Sequence, residues 1–440
     1  MKFIAGILLV AIYSVPAFSQ TRALSLEEAI DLSVAHSHVL KISNSQIQEA
    51  TALVQQAKNN RLPDLDLSGQ YLRMNKPNLD IKFGSSSEGG EEAGGMPSAN
   101  QAMLGMASAS LPIFTGGRIQ NGIASARYLE NAMKLDAEKD RLQVVQNTVL
   151  AYFNLYKAQA AVQVVSENLR SAQRRVKDFS NMEANGLLAR NDLLKVQLQE
   201  SNLELTLLTA KNEEQVANYN FNLMLGLPEQ TQLALDSTVE ARPILEGSLE
   251  DWEAKALNNR ADKQAMAERQ LASHARLRQV KGDYLPSLAL SAGYVGVHVP
   301  DVLTVTHAMN VGVGLSYNLA ALYKAGAHVR QAKAQEETLQ WNQAQLVDDI
   351  KVGIYKAYQE FNQSQEKIAV SQKALEQARE NYRITKNKHE NSLATTTDLL
   401  DADVARLQTE IDYEYAKADA LIAYYKLHEQ AGVNVTSNSK

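Results

Sequence analysis

Aspartates recur at matching positions in the two halves of the chain. Asp398 and Asp401 lie three residues apart in TTTDLLDADVARL, and Asp192 precedes the same Leu-Leu pair in ARNDLLKVQL. Carboxylates that lie close together favour cations and raise one another's pKa. An acid in the first turn of a helix also stabilises that helix, and one of the threonines at 395–397 can supply the cap. Selectivity and capping are compatible roles, and the sequence leaves both open.

Other chemistry is not indicated. The chain has no cysteine, which excludes disulfides and thiolate metal sites. The close histidine pair, His36 and His38, is spaced so that its side chains do not share a helix face. Neither the phosphate loop GxxxxGK followed by Ser or Thr nor a GxSxG motif occurs. We therefore expect no enzyme, cofactor or metal site, and the formal charge of -6 argues against a nucleic-acid partner.

The first residues, MKFIAGILLVAIYSVPAFSQ, have the pattern of an export signal. Lys2 precedes an apolar run, and small residues stand just before Gln20. This pattern predicts a secretory signal peptide over residues 1–19. No later run of 18 or more apolar residues occurs, which argues against spanning helices. The shorter, alternating strands of a membrane β-barrel remain compatible with the sequence.

The rest of the chain reads as two similar halves. In each half a helical run stops at a proline, Pro63 or Pro286, and two alternating stretches and two long helical runs follow. Glycines in TGGRI and YKAGAHV predict strand-to-helix turns at Gly116, Gly117 and Gly326. The predicted domains are a signal peptide (1–19), a first repeat (20–225), an insert (226–248), a second repeat (249–431) and a tail (432–440). The first repeat has predicted strands near 63–72 and 101–113 and a hairpin tip near 183–192. The second has predicted strands near 285–298 and 308–320 and a tip near 389–398.

The alternating stretches have one apolar face and one small or polar face. In AMNVGVGLSYN the apolar face holds Met309, Val311, Val313, Leu315 and Tyr317. A soluble sandwich would need a second layer, which four strands do not supply. A membrane strand instead turns its apolar face to lipid and its polar face to a lumen. Because four strands do not close a barrel and every strand edge in lipid must be paired, the chain must share its barrel with copies of itself.

The helical runs are long and amphipathic. They cover about residues 118–180 and 327–388, which would span about 90 Å each at 1.5 Å per residue. Such helices pack side by side in a bundle or a tube wall, although a plain coiled-coil rod would show the same pattern. The last helix has an apolar seam with steps of three and four: Leu400, Val404, Leu407, Ile411, Tyr415, Ala418, Ile422 and Tyr425.

Taken in order, these features resemble the TolC-type outer-membrane efflux family over essentially the whole mature chain. They are the signal peptide, the two tandem halves, SLPIFTGGRI at a strand-to-helix passage, and the pair NGLLARNDLL and NSLATTTDLLDADVARL. The resemblance implies a fold that is mainly α with a membrane β-barrel. Three chains with four strands each would form a homotrimeric 12-stranded barrel, continuous with a long α-helical periplasmic barrel. Residues 226–248 and the tail are the natural material for the family's equatorial belt.

The resemblance also implies a function. It is a passive exit duct in the outer membrane of a Gram-negative bacterium, with its helical tunnel in the periplasm, docked by a periplasmic adaptor and an inner-membrane pump of the RND or ABC type. The periplasmic tips would open like an iris, with Asp192, Asp398 and Asp401 at the constriction. The family's basic residue in the second-half turn is missing from LATTT, so Arg190 in the other turn is the candidate lock.

The alternative function is a periplasmic coiled-coil structural or adhesion protein without a pore. Paired alternating strands at matching places in both halves favour the duct, because a rod has no use for them. Residues 73–100 are rich in Gly, Ser and Glu and are expected to form an extracellular loop between the first two strands.

Overall fold

The chain is mainly helical. The structure, a computed structural model, describes residues 21–75, 100–235, 244–300 and 303–433. Within these ranges the α-helices are α1 (Leu26–His36), α2 (His38–Asn59), α3 (Arg118–Ala184), α4 (Arg190–Leu225), α5 (Leu249–Asn259), α6 (Ala261–Lys281), α7 (Ala321–Glu390) and α8 (Thr396–Gln430). At 1.5 Å per residue, the longest of them, α7, extends about 105 Å. No helix in the described part of the chain is both long enough and apolar enough to cross a membrane.

The strands form two separate sheets. β1 (Thr21–Leu24) and β4 (Gln232–Leu235) pair in parallel. The other four strands are antiparallel in the order β2-β3-β5-β6, and their bounds are β2 (Asp64–Arg73), β3 (Gln101–Phe114), β5 (Ser287–Val299) and β6 (Leu303–Ser316). Pro63 and Pro286 stand immediately before β2 and β5. Proline has no N–H to donate inside a helix, and it favours an extended conformation in the residue before it, so a helix ends here and a strand can begin.

The register of the four-stranded sheet continues one largely apolar face across all four strands. Leu67 pairs with Ala107, Ala107 pairs with Tyr294, and Tyr294 pairs with Met309. Side chains two residues along each strand share this face. It is strongly exposed, with Leu67 at 88% and Val311 at 77%. Toward the start of β2 the other face carries small and polar residues, namely Asp64, Asp66, Ser68, Ser108, Ser110, Ser291, Gly293, Asn310 and Gly312. Leu104, Met106 and Val295 lie further along the same face.

Among the described residues, one compact unit comprises residues 21–43, 136–235, 244–262 and 346–433. Its largest core packs the small β1-β4 sheet against helices, with Leu24, Phe153, Phe221 and Leu233 almost fully buried. A second core surrounds Trp252 on α5, together with apolar residues of α7 and α8. The helices are amphipathic as expected from sequence, and α7 buries Ile350, Ile354, Phe361, Ile368 and Leu375.

The other unit comprises the described residues 44–75, 100–135, 263–300 and 303–345 and contains the four-stranded sheet. Its helices pack mainly through alanines, including Ala265, Ala272 and Ala332, which are at most 4% exposed. Small side chains allow close approach, and Ser125 on α3 donates a hydrogen bond to the carbonyl of Ala272 on α6 at 3.0 Å.

Several sequence expectations fall wholly or partly outside the described residues. They are the signal peptide (1–19), most of the loop at 73–100, residues 236–243 of the insert and residues 434–440 of the tail.

Candidate functional site

The turns that join α3 to α4 and α7 to α8 have the same backbone geometry. Gly186 and Ser392 take the left-handed conformation at equivalent positions, with φ of 71° and 58°. The next residue, Leu187 or Leu393, donates its N–H to a carbonyl five residues back at 2.8 or 2.7 Å. This pattern is the Schellman closure of a helix end. Both leucines are strongly exposed, at 73% and 77%, so each hairpin presents an apolar side chain at its tip.

Asp398 lies in a capping box at the start of α8. The Asp398 N–H donates to Thr395 Oγ1 at 3.1 Å, and the Thr395 N–H donates to Asp398 Oδ2 at 2.9 Å. Hydrogen bonds from the Thr395 hydroxyl and N–H lower the pKa of the Asp398 carboxyl. Thr395 is therefore the cap among the three threonines, and Asp398 has the capping role. Asp401, one turn further along α8, is exposed.

Asp192 occupies the equivalent first turn of α4, but its surroundings differ. The N-cap residue, Ala189, has no side-chain cap. Asp192 is half-buried and lies 3.3 Å from Lys195 Nζ. Lys195 also donates to Thr397 Oγ1 on α8 at 3.2 Å. A chain of polar contacts therefore links Asp192 to the first turn of α8 in the other hairpin.

Arg190 does not make that link. Its guanidinium is 67% exposed and lies 3.6 Å from Glu183 in its own hairpin. An exposed pair at this distance contributes at most a few tenths of a kcal/mol. Of the two cations, Lys195 is the one that contacts α8.

A buried ion network lies deeper between the hairpins. Arg175 on α3 donates to Asp403 Oδ2 on α8 at 2.8 Å and to the Tyr382 hydroxyl on α7 at 2.9 Å. Arg406 approaches the other Asp403 oxygen at 2.9 Å and Glu410 at 3.3 Å. The side chains of Arg175 and Asp403 are only 9% and 4% exposed. Burial opposes the charge on Arg406, but its hydrogen bond and attraction to Asp403 outweigh that cost and raise the pKa of its guanidinium.

An apolar cluster separates this network from the turns. Phe179, Leu193, Val196 and Leu399 are each at most 6% exposed. The ring of His389 stacks on Phe179 with centroids 5.4 Å apart and planes 10° apart. Residues of α3, α4, α7 and α8 therefore hold the two tips together through apolar, polar and ionic contacts.

Sequence reasoning missed Arg175, Asp403 and Arg406. The one available signal was the i, i+3 spacing of Asp403 and Arg406 within DADVARL, which indicates a local pair. Nothing local pairs Asp403 with Arg175, because the two are 228 residues apart.

Gly116 and Gly117 make the first strand-to-helix passage. Both have left-handed φ angles, 63° and 78°. A Cβ on Gly116 would lie 2.6 Å from the carbonyl oxygen of Gly282, and a Cβ on Gly282 would meet the carbonyl oxygen of Gly116 at the same distance. Two glycines are thus required where the chain between β3 and α3 crosses the end of α6, and Gly282 is a requirement that the sequence did not reveal.

The expected turn at Gly326 is wrong, because Gly326 lies inside α7. Asn318 makes the second passage instead. Its side-chain Oδ1 accepts the Ala320 N–H at 3.1 Å and its carbonyl accepts the Ala321 N–H at 3.0 Å. An asparagine that bonds nearby backbone can form a turn without glycine. β6 therefore ends at Ser316 and α7 begins at Ala321, both earlier than the alternation suggests.

Loss of the α8 cap is a direct test of the tip geometry. Thr395→Ala should cost about 1 kcal/mol of stability at neutral pH. A carboxyl whose pKa is lowered by folding stabilises the protein above its unfolded pKa, about 3.9, and loses that contribution as pH falls through the folded value. The difference between wild type and variant should therefore shrink in acid, as measured by denaturant unfolding across pH. Thr409→Ala, in the middle of α8, should show no such pH dependence, and equal profiles for both variants would contradict the capping assignment.

The chain matches the family model described as outer membrane efflux protein over residues 29–227 and 252–433. It is 22% identical over 321 residues to the alkaline protease secretion protein AprF of Pseudomonas aeruginosa, covering 72% of this chain and 66% of AprF. It is 24% identical over 255 residues to the cation efflux system protein CusC of Escherichia coli, covering 57% of this chain and 53% of CusC. The chain thus spans less than two thirds of the length of these relatives.

Solved structures have the same fold. The outer-membrane channel OprN superposes with a TM-score of 0.76 at 18% identity, over 93% of this chain and 90% of that one. A structure of CusC gives 0.78 at 16% identity, over 93% and 92%. The family contains channels rather than enzymes, and together the match to its model and the fold show that this chain belongs to the outer membrane efflux protein family.

Proposed function

We propose that the protein is the outer-membrane exit duct of an efflux or secretion system. Three copies would place their four-stranded sheets side by side in a 12-stranded barrel. The observation that carries the proposal is a sheet with one exposed apolar face and, among the described residues, no neighbour on the outer edges of β2 and β6. A bilayer accepts such a face, but each edge must find hydrogen-bond partners, which copies of the same sheet supply.

The long helices would continue the lumen into the periplasm, and residues 226–248 with the tail would contribute to a belt. The hairpin tips would form the gate. Three copies bring Asp192, Asp398 and Asp401 to the constriction, where Asp401 is exposed and free to face the lumen. Arg190 remains a candidate lock only toward a neighbouring copy, because within its own chain it contacts Glu183.

A duct of this kind has no energy source of its own. A periplasmic adaptor and an inner-membrane pump of the RND or ABC type would supply it. AprF is named for secretion of a protease and CusC for efflux of cations, so relatives of one fold serve different cargoes. We propose that the pump, rather than the duct, selects the substrate here.

The test is planar-bilayer conductance of the purified protein, with and without Asp398→Asn plus Asp401→Asn. We expect discrete, cation-selective steps, with the cation preference measured from reversal potentials falling strongly in the double variant. Asp348→Asn plus Asp349→Asn removes the same charge from exposed positions on α7 and should leave the preference close to wild type.

Steps that are unchanged by the tip substitutions would retain the duct and leave Asp398 with its capping role alone. An absence of steps from a folded trimer that fractionates away from membranes would favour the coiled-coil protein without a pore.

A further inference from the structure

One end of the four-stranded sheet carries all of its helix connections. The register pairs Asp64 with Ser110 and Ser287 with Ser316, so the start of β2, the end of β3, the start of β5 and the end of β6 lie together. α2, α3, α6 and α7 join the sheet at this end. The end of β2, the start of β3, the end of β5 and the start of β6 lie at the opposite end. If the sheet lies in a bilayer, this end marks the surface from which the helices leave the membrane.

Positive charge is concentrated at the helix-linked end. The sequence segments within about fourteen residues on the helix side of each junction, roughly 20 Å of helix, contain a single acid, Asp283. We call the basic residues of these segments the basic collar: Lys58, Arg61, Arg118, Arg127, Arg276, Arg278, Lys281, Lys324 and Arg330. The whole chain has 44 Lys and Arg against 50 Asp and Glu, so the excess of basic residues is a property of these segments and not of the chain as a whole. The sequence segments that follow β2 and β5, residues 74–100 and 300–302, contain two lysines and five acids.

Some of these cations have partners within the fold: Arg278 donates to Asn121 Oδ1 at 3.1 Å, and Lys58 helps to lower the pKa of the Glu130 carboxyl. Arg118 is half-buried and pairs with Asp283 at 3.3 Å, whereas the other members of the basic collar are exposed. Within the described part of the chain, no carboxylate lies at salt-bridge distance from Lys281, Lys324 or Arg330. Like charges at this density repel one another unless a partner of opposite sign is present.

Aromatic and apolar side chains accompany the collar where β6 passes into α7. Tyr317 and Tyr323 are 41% and 74% exposed, and Leu319 and Leu322 are 65% and 58% exposed. Lys324 Nζ lies 5.9 Å from the ring centroid of Tyr323. Tyrosines with basic neighbours are typical of the boundary between hydrocarbon and headgroups, where the ring is amphipathic and the cation faces phosphate.

We propose that the basic collar binds the phosphate groups of anionic phospholipids in the leaflet nearest the helices. The inference rests on the proposed function, because it requires the sheet to lie in a bilayer. The chemistry recognised is a phosphodiester anion at a lipid surface. A basic residue close to such a surface strengthens association by about fivefold at low salt, and the effect weakens as ionic strength rises.

The test uses the protein in mixed micelles of equal phosphatidylglycerol and phosphatidylcholine. Native mass spectrometry then counts each lipid retained per assembly. The collar variant carries Lys281→Gln, Lys324→Gln and Arg330→Gln. The matched control carries Lys373→Gln, Lys386→Gln and Lys388→Gln, which removes the same charge from exposed positions on the distant part of α7. A further sample of wild type receives inorganic phosphate, with chloride replaced so that ionic strength is constant.

We expect wild type and the control to retain phosphatidylglycerol preferentially, and the collar variant to lose at least fivefold of that preference. Equal lipid ratios in wild type and collar variant would overturn the proposal. Loss of the preference on adding inorganic phosphate would also overturn it, since the collar would then be a site for free anions. A collar variant that dissociates into single chains with an unchanged lipid ratio would assign these cations to contacts between copies instead.

The same spectra separate this inference from the proposed function. Wild type that fails to assemble or to conduct would count against the duct itself. A conducting trimer with no lipid preference would support the duct and contradict only the proposal that the basic collar binds anionic lipid.

Discussion

Asp403→Ala should lower the free energy of unfolding by about 3–5 kcal/mol. The substitution leaves the Arg175 guanidinium buried between α3 and α8 with no carboxylate partner. It also removes one of the carboxylates that pair with Arg406. Restoring water to Arg175 requires separating the helices near the tips. The loss should therefore appear as faster hydrogen exchange of backbone amides in α3 and α8 near the network, together with a lower denaturant midpoint.

Two further variants separate the buried pair from nonspecific effects. Asp412→Ala changes an exposed aspartate on the same helix that accepts a hydrogen bond from Gln408, and it should shift stability by no more than about 0.5 kcal/mol. Arg175→Met combined with Asp403→Leu removes both charges and should recover much of the loss, because apolar pairs often replace buried ion pairs at little cost. Equal destabilisation by Asp403→Ala and Asp412→Ala would show that the network contributes little.

If the tips are a gate, the same variant should also change conduction. Contacts of Arg175 and Asp403 join the two hairpins of one chain, so their loss should increase the time spent open at rest in planar bilayers. Unchanged resting conductance, together with the expected loss of stability, would make the network structural only.

Gly116→Ala should strongly destabilise the four-stranded part of the molecule. Its left-handed backbone alone should cost about 1–3 kcal/mol with a side chain present. The new Cβ would also lie 2.6 Å from the Gly282 carbonyl oxygen and 2.9 Å from Leu285 Cβ, and a backbone carbonyl does not move aside easily. Denaturant unfolding of the purified protein measures the change.

Gly326→Ala is the matched control. Gly326 lies inside α7, and the nearest atom to the new Cβ would be the Tyr284 hydroxyl oxygen at an ordinary 3.5 Å. Alanine should therefore stabilise the helix by up to about 1 kcal/mol. Opposite signs for the two substitutions are the expected result, whereas destabilisation by both would mean that α7 begins after Gly326, as the sequence pattern suggested.

The apolar seam of α8 shows which buried residues helical periodicity predicts and which it misses. The sequence marks Val404 as part of the apolar seam, but it is 46% exposed, whereas the neighbouring Ala402 and Asp403 are buried. Further along, the buried residues of α8 are mostly alanines, such as Ala416 and Ala420. Periodicity identifies faces of a helix, but the face that is buried deepest depends on which neighbours approach closely, and small residues permit the closest approach.

Local physical chemistry alone determined much of this protein. Strand alternation placed Met309, Val311 and Val313 on one face, and the register of the sheet extends that face across its neighbours, since side chains alternate in any strand. Heptad-like spacing predicted the long helices. Only the tertiary structure paired Arg175 with Asp403 and Gly116 with Gly282, and it made Asn318 rather than Gly326 the second turn. It also brought four separate basic segments to one end of a sheet. These features depend on contacts between residues far apart in the chain, and a one-dimensional pattern carries no record of which distant segments meet.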